Sequence, residues 1–177
     1  DPPRRRRVVS DRCSPISPIL ADGAVIYPER SLTLLKEVRF DWEEDKQRAW
    51  EMTDLNETIL SSGVKQMAYQ SVPDPRIWIV RNDGKIVTLT YYRKEDVLGW
   101  TMIETDGLYE SLAIIPHPDG DREQIWTLVQ RDIDGVVRRY VEYFDDKAPE
   151  KNINPWPHKN KDGVAVAQLF TDCAMVV

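Results

Sequence analysis

"RIWIVRNDGKIVTLTYYR", residues 76 to 93, decides the fold. A β-prone run meets the corner Asn82-Asp83-Gly84 and a second β-prone run follows, the pattern of a hairpin whose alternate side chains face opposite ways. Ile77 and Ile79 fall on one side, Trp78 and Val80 on the other. Both faces are therefore apolar, as expected of strands held between neighbouring sheets.

Working outward, the chain after Gly63 reads as strands and turns. The runs are "VKQMAYQS" (64 to 71), "RIWIVR" (76 to 81), "KIVTLTYYR" (85 to 93), "VLGWTMIET" (97 to 105), "LYESLAIIPH" (108 to 117), "EQIWTLVQRDI" (123 to 133), "VVRRYVEYF" (136 to 144) and "VAVAQLF" (164 to 170). Asp83-Gly84, Asp106-Gly107, Asp119-Gly120 and Asp134-Gly135 punctuate them, Gly supplying the positive φ that such corners require. Before Gly63, "AVIYP" (24 to 28) and "LTLLKEVRFDW" (32 to 42) read as short strands. Pro15 and Pro18 confine any strand near them to an edge or an end. One short α-helix is expected near 54–61: Asp54 and Glu57 have capping-box spacing, Leu55, Ile59 and Leu60 form an apolar stripe, and Gly63 stands just past the end.

The strands repeat. "QMAYQSVPDPRIWIVRNDGKIVTLTYYR" aligns with "SLAIIPHPDGDREQIWTLVQRDIDGVVRRYVEYF": each has an Ala-centred apolar strand, a Pro-Asp corner, an Ile-Trp strand and a Gly-closed hairpin. Trp78 and Trp126 recur at about 50 residues, the period of a four-stranded propeller blade. The expectation is a mainly β protein of antiparallel four-stranded units resembling β-propeller blades. Residues 1–62 would form a strand-rich segment with the short helix, part of a preceding blade, and residues 63–177 two blade-like units. Two units are too few to close a propeller of roughly four to eight blades, so the chain reads as a slice of one, or its strands form a sandwich. Asp1 at the start and the apolar "AQLFTDCAMVV" at the end suggest a segment of a longer protein.

Composition fits a chain that buries a core, with 41% hydrophobic and 31% charged residues. No run approaches the roughly 18 apolar residues of a membrane helix, and no membrane partner is expected. The net charge is −6, with acids clustered at 41 to 46, 119 to 123 and 143 to 150. That balance argues against broad phosphate neutralisation of DNA and suits a wall past which a polyanion slides. The exception is Arg4, Arg5, Arg6 and Arg7, either a solvated tail or a contact to a neighbouring subunit, a phosphate or an acidic partner. Cys13 and Cys173 are the only cysteines and make no disulfide framework or metal spacing.

Chemistry-bearing patterns are scarce. His117 and His158 both stand beside prolines without a matching set of ligands, and no nucleophile elbow, phosphate loop or dinucleotide fingerprint occurs. No catalytic residue, metal site or cofactor is expected. Glu104, Glu110 and Glu142 are the strand carboxylates that a glycosidase could pair, but strand alternation explains them as solvent-facing positions. Asp83, Asp106 and Asp134 read as turn formers. Trp78, Trp100 and Trp126 read as core. Trp156, in the polar loop "INPWPHKNKDG", reads as an anchor to a neighbouring subunit.

The stretch from 63 to 144 resembles the tail tubular protein B, or tail nozzle, family of short-tailed bacteriophages. The resemblance rests on the order of "GVKQMAYQ" (63 to 70), "RIWIVRNDGKIVTLTYYRKEDVLGW" (76 to 100), "ETDGLYESLAIIP" (104 to 116) and "IWTLVQRDIDGVVRRYVEYF" (125 to 144). The segment 34 to 60 and the terminal "LFTDCA" are similar to further family segments. The resemblance implies a structural virion protein, typically six copies in a ring around a channel, with β-propeller-like domains. It implies assembly in the bacterial cytoplasm into the phage tail, with adaptor, tube and fibre proteins as partners. Viral DNA would be retained and then passed during ejection without sequence-specific binding. The rival reading is a carbohydrate-active or receptor-binding propeller or sandwich module.

Overall fold

A computed structural model describes residues 12–144, apart from 42–44, 55, 93, 94, 96 and 119, and beyond them only three short paired strands. The described residues form three four-stranded antiparallel sheets and one two-stranded pair. The first runs in order through β1 (Ile19–Ala21), β2 (Ala24–Pro28), β3 (Leu35–Asp41) and β4 (Lys46–Glu51). The second, middle sheet runs through β5 (Val64–Gln70), β6 (Arg76–Arg81), β7 (Ile86–Tyr92) and β8 (Val97–Ile103). The third has β9 (Leu108–Pro116), β10 (Glu123–Ile133) and β11 (Val136–Phe144) in the same order. Its fourth place is taken by β14 (Cys173–Val176), after the separate pair β12 (His158–Lys159) and β13 (Ala165–Val166). Of the expected strand at 164–170, Ala165–Val166 is β13 and the rest lies outside the described residues.

The expected helix near 54–61 is not formed. Asn56, Ile59, Ser61 and Gly63 donate to the carbonyls three residues back, at 2.8, 3.2, 3.0 and 2.8 Å, giving a string of tight turns. Leu55 lies outside the described residues. Two turns of chain nucleate a helix poorly on their own, and tertiary partners claim the backbone instead. The Arg81 guanidinium donates to the Ile59 carbonyl at 2.6 Å, while Ile59 and Leu60 are buried. Gly63, at φ +86°, then turns the chain into β5.

The sheets stack, and alternation sorts their side chains between the interfaces. In the middle sheet Ile77, Ile79, Val87, Leu89 and Tyr91 pack with Ala21, Ile26, Leu35 and Met52 of the first sheet and its exit, together with Ile59 and Leu60. Trp78, Val80 and Ile86 point the other way and pack with Tyr109, Leu112, Ile125, Val129 and Phe144 of the third. Each sheet thus has a front, toward the start of the chain, and a back, toward its end. The hairpin at 76–92 is buried on both sides because a sheet lies on each.

The repeat holds at residue resolution. Ala68 stands opposite Trp78 across β5 and β6, and Ala113 opposite Trp126 across β9 and β10. Each pairing slips at the same point, three residues before the alanine: Lys65 is the extra residue of β5 and Glu110 that of β9. A bulge at one position in both sheets is a property of the repeated unit, since bulges bend and twist a strand in a set way. Side-chain amides join the innermost strands of the two sheets. Gln66 donates to the Leu112 carbonyl at 2.7 Å and accepts from its N–H at 3.1 Å, and Gln70 donates to the Glu123 carbonyl at 3.2 Å.

Candidate functional site

A cleft of about 290 Å³ lies at one end of the interface between the middle and third sheets. Its apolar wall is Trp78, Ile125 and Phe144, with the Trp78 and Phe144 rings 5.2 Å apart, and its polar rim is Gln70, Asp74 and Arg76. Strand order places them: Trp78 and Gln70 leave the backs of β6 and β5, while Ile125 and Phe144 come from the front of the third sheet. The β5–β6 connection, with a cis Val72-Pro73 bond, supplies Pro73 and Asp74.

Its polar groups are engaged with one another. Gln70 accepts from the Trp78 indole N–H at 3.0 Å. Asp74 accepts from Arg76 at 3.0 Å and from the Tyr92 hydroxyl at 2.6 Å. That bond to Asp74 raises the Tyr92 hydroxyl above its ordinary range. Behind the rim, Glu123 accepts from the Ser71 N–H at 2.6 Å, the Ser71 hydroxyl at 3.2 Å and the Val72 N–H at 3.3 Å, which pins the connection. Chemically this is an aromatic floor with a neutralised rim. It can hold a flat or apolar group by packing and hydrogen bonds.

The three carboxylates considered for glycoside chemistry do not converge. Glu142 is buried on the front of the third sheet, its two oxygens each 2.7 Å from the Arg131 guanidinium. Glu110 lies at the bulge and reaches Arg139 on the back face, at 2.7 and 3.1 Å. Arg139 holds the Glu110 carboxyl below its ordinary range, and Glu110 in turn raises the guanidinium. Glu104 pairs with Lys85. Glu142 corrects the expectation of a solvent-facing position: Val141 is the exposed neighbour and Glu142 the buried one. Glu142 shares the front of β11 with Phe144, which is in the core, and Arg131 supplies the charge that the buried carboxylate requires.

Trp78 is buried as expected, whereas Trp100 and Trp126 are half-buried. Trp100 donates to the Met52 carbonyl at 3.3 Å, and the Trp126 ring lies 5.1 Å from Tyr143 on the back of the third sheet. Asp83 accepts from Arg81 at 2.6 and 3.1 Å. Partial burial pushes its carboxyl up, but Arg81 and Ser62 outweigh burial and leave it below the ordinary range. Asp134, at φ +55°, is the turn former expected. Arg4, Arg5, Arg6, Arg7 and Trp156, the candidate contacts to other subunits, lie outside the described residues.

Sequence reasoning did not single out the cleft's Gln70, Asp74 and Arg76, because nothing in the spacing of polar residues announces which sheet will stack above them. The paired bulges and the Gln66 and Gln70 bridges had one available signal, their equivalent places in the repeat. No group of three or more His, Cys, Asp or Glu able to hold a metal ion occurs among the described residues. Among them, no helix is long and apolar enough to cross a membrane. No protein-family model matches the chain, and no curated protein matches it.

Proposed function

We propose that the chain is a structural virion protein, a segment of a short-tailed phage tail nozzle that assembles as a ring around a DNA channel. The observation that carries this reading is the order of family-like motifs from 63 to 144, which coincides with a run of stacked four-stranded sheets and their paired bulges. Stacked sheets joined by backbone and amide hydrogen bonds suit a load-bearing wall. The acidic balance suits DNA that passes by repulsion and weak contact, since rings of Lys and Arg would hold it. The six-copy ring, the adaptor and fibre partners and the place in the virion come from the resemblance. Electron microscopy and light scattering of the purified chain test it: ring particles support it, and a stable monomer at physiological concentration counts against it. Retention of duplex DNA at physiological salt would contradict the sliding wall.

The aromatic floor of the cleft favours one second reading, a carbohydrate or receptor-binding module. A glycan array separates the two. Specific binding that is lost in Trp78→Phe, with the fold retained, would favour the module.

A further inference from the structure

The outer edges of the first two sheets differ in chemistry. On the first, β4 reads "KQRAWE", with Lys46, Gln47 and Arg48 exposed. On the middle sheet, β8 reads "VLGWTMI", with neither a charge nor a proline, and Val97, Leu98 and Met102 are 43, 40 and 43% exposed. Among the described residues no strand pairs with the outer side of β8. Natural sheets blunt a free edge with charge or proline. β4 is blunted in this way, and β8 is not.

Hydrogen bonding fixes which residues of β8 face outward. The Arg81 N–H donates to the Lys85 carbonyl at 2.9 Å and the Tyr91 N–H to the Pro75 carbonyl at 3.0 Å, so the odd residues of β7 face β6 and the even ones β8. Their partners Val97, Gly99, Thr101 and Ile103 face inward, which leaves the N–H and C=O groups of Leu98, Trp100 and Met102 on the free edge. Gly99 is a second, independent sign. Its φ lies outside the left-handed region, and an added Cβ would meet only the Thr90 Cβ at 3.8 Å, an ordinary contact. Neither conformation nor packing within the described residues calls for glycine there. Glycine weakens a strand, and inside one it marks the close approach of another backbone.

We propose that β8 pairs with β8 of a second copy, antiparallel about a twofold axis at Trp100, joining two middle sheets into one. The register that forms the most bonds sets Trp100 opposite Trp100 and Leu98 opposite Met102 of the second copy, each pair exchanging both its hydrogen bonds. Gly99 then falls opposite Thr101 in a close pair without hydrogen bonds, and every side chain that meets another is uncharged. Arg81 reaches the Met102 sulfur at 3.8 Å from its own sheet, Lys85 and Glu104 pair past one end of β8, and Glu95 stands before the other. The one like-charge match in this register, Asp96 with Glu104, falls outside the paired strands.

Composition favours a second copy over the remainder of this chain. Residues 1–11 carry four arginines and two prolines. Within 145–172 the longest run free of charge and proline is 163–171, and its Ala165–Val166 already pair with His158–Lys159. β8 itself is uncharged, extended and matched to its own length. Described sheets cover both faces of the middle sheet, so the contact does not depend on what lies beyond the ends of the stack. The pair is isologous, which distinguishes it from a ring contact. It stands on the strand edge, whether or not the chain belongs to a tail nozzle.

Leu98→Lys and Met102→Glu, each at an exposed position, test it in the full chain by sedimentation equilibrium. The wild-type chain is expected to form dimers with rising concentration. Each variant alone sets a charge against an apolar partner at both ends of the pair, and is expected to dimerise at least roughly tenfold more weakly with an unchanged far-UV spectrum. In an equimolar mixture the introduced lysine of one variant stands opposite the introduced glutamate of the other, and roughly tenfold of the affinity is expected to return. Leu98→Glu with Met102→Lys, the same pair with the charges exchanged, replaces them should either fail to fold. Variants that dimerise as tightly as the wild type, or a mixture no tighter than its components, overturn the proposal. So does a monomeric wild type: if Leu98→Lys then lowers the melting temperature, a segment of the same chain lies along β8. Wild-type rings that persist in both variants remove this contact and leave the nozzle reading standing.

Discussion

Trp78 and Trp126 occupy one position in two copies of one structural unit, and their surroundings differ. Each faces an alanine on the preceding strand and points to the back of its sheet. Trp78 is 5% exposed, under Phe144 of the next sheet, whereas Trp126 is half-buried against Tyr143 of its own. The sequence pattern sets which way a side chain points. Whether it is buried is decided by what stacks on that face, here another sheet in one case and none among the described residues in the other.

The largest test of this contrast is truncation. Trp78→Ala is expected to cost about 4 kcal/mol, because it empties a packed space between two sheets, and Trp126→Ala about 1 kcal/mol, as a substitution outside the packed core. Urea unfolding of the two variants reads the difference, and equal costs would break the comparison. Next in size is Arg81→Ala, expected to cost about 3 kcal/mol, since it strands the Ile59 carbonyl and leaves Asp83 without its cation. The same unfolding curves measure it. A cost near zero would mean that the turns at 56–63 hold without that tie.

Gly84→Ala is expected to cost about 2 kcal/mol. Its φ is +77°, and a Cβ there would meet the Leu108 side chain at 2.7 Å, where the hairpin tip of the middle sheet touches the start of the third. Gly135→Ala is the control: φ is +76° with nothing within 4 Å of the added Cβ, so it carries the backbone strain alone, about 1 kcal/mol. Thermal unfolding separates the two, and equal shifts would show that the sheet-to-sheet contact contributes nothing.

The smallest effect sharpens the comparison at the other interface. Glu37, buried on the back of the first sheet, has its carboxyl pushed up by burial, against the opposing pull of Arg39 and a hydrogen bond from Tyr91. The fold therefore holds the Glu37 proton more tightly than the unfolded chain does. That contribution is present below the ordinary carboxyl value of 4.5 and fades as pH rises through the raised one. Glu37→Gln should flatten the fall in melting temperature from acid toward neutral pH. An unchanged pH profile would assign the fall to other groups.

Much of the architecture was legible from the residues because turn chemistry and alternation are local. Ala24–Pro28, Arg76–Arg81, Glu123–Ile133 and Val136–Phe144 begin and end where the text between turn signals does. Lys46–Glu51 was not legible: "KQRAWE" has the polarity of an edge, and only pairing with β3 makes it a strand. The misread helix had sound local signals at Asp54 and Glu57, which lost to a guanidinium arriving from Arg81. For the same reason the cleft stayed hidden. Its walls belong to Trp78 and Phe144, residues far apart in the chain that meet only once two sheets are stacked.

The fourth strand of the third sheet carries a consequence for biosynthesis. The first two sheets are built from strands adjacent in sequence, so each can be completed as it leaves the ribosome. The third must wait until Cys173–Val176 has been made, and until then the last part of β11, residues 141–144, presents an open hydrogen-bonding edge. Nascent chains halted after Phe144 would thus be the ones that clump.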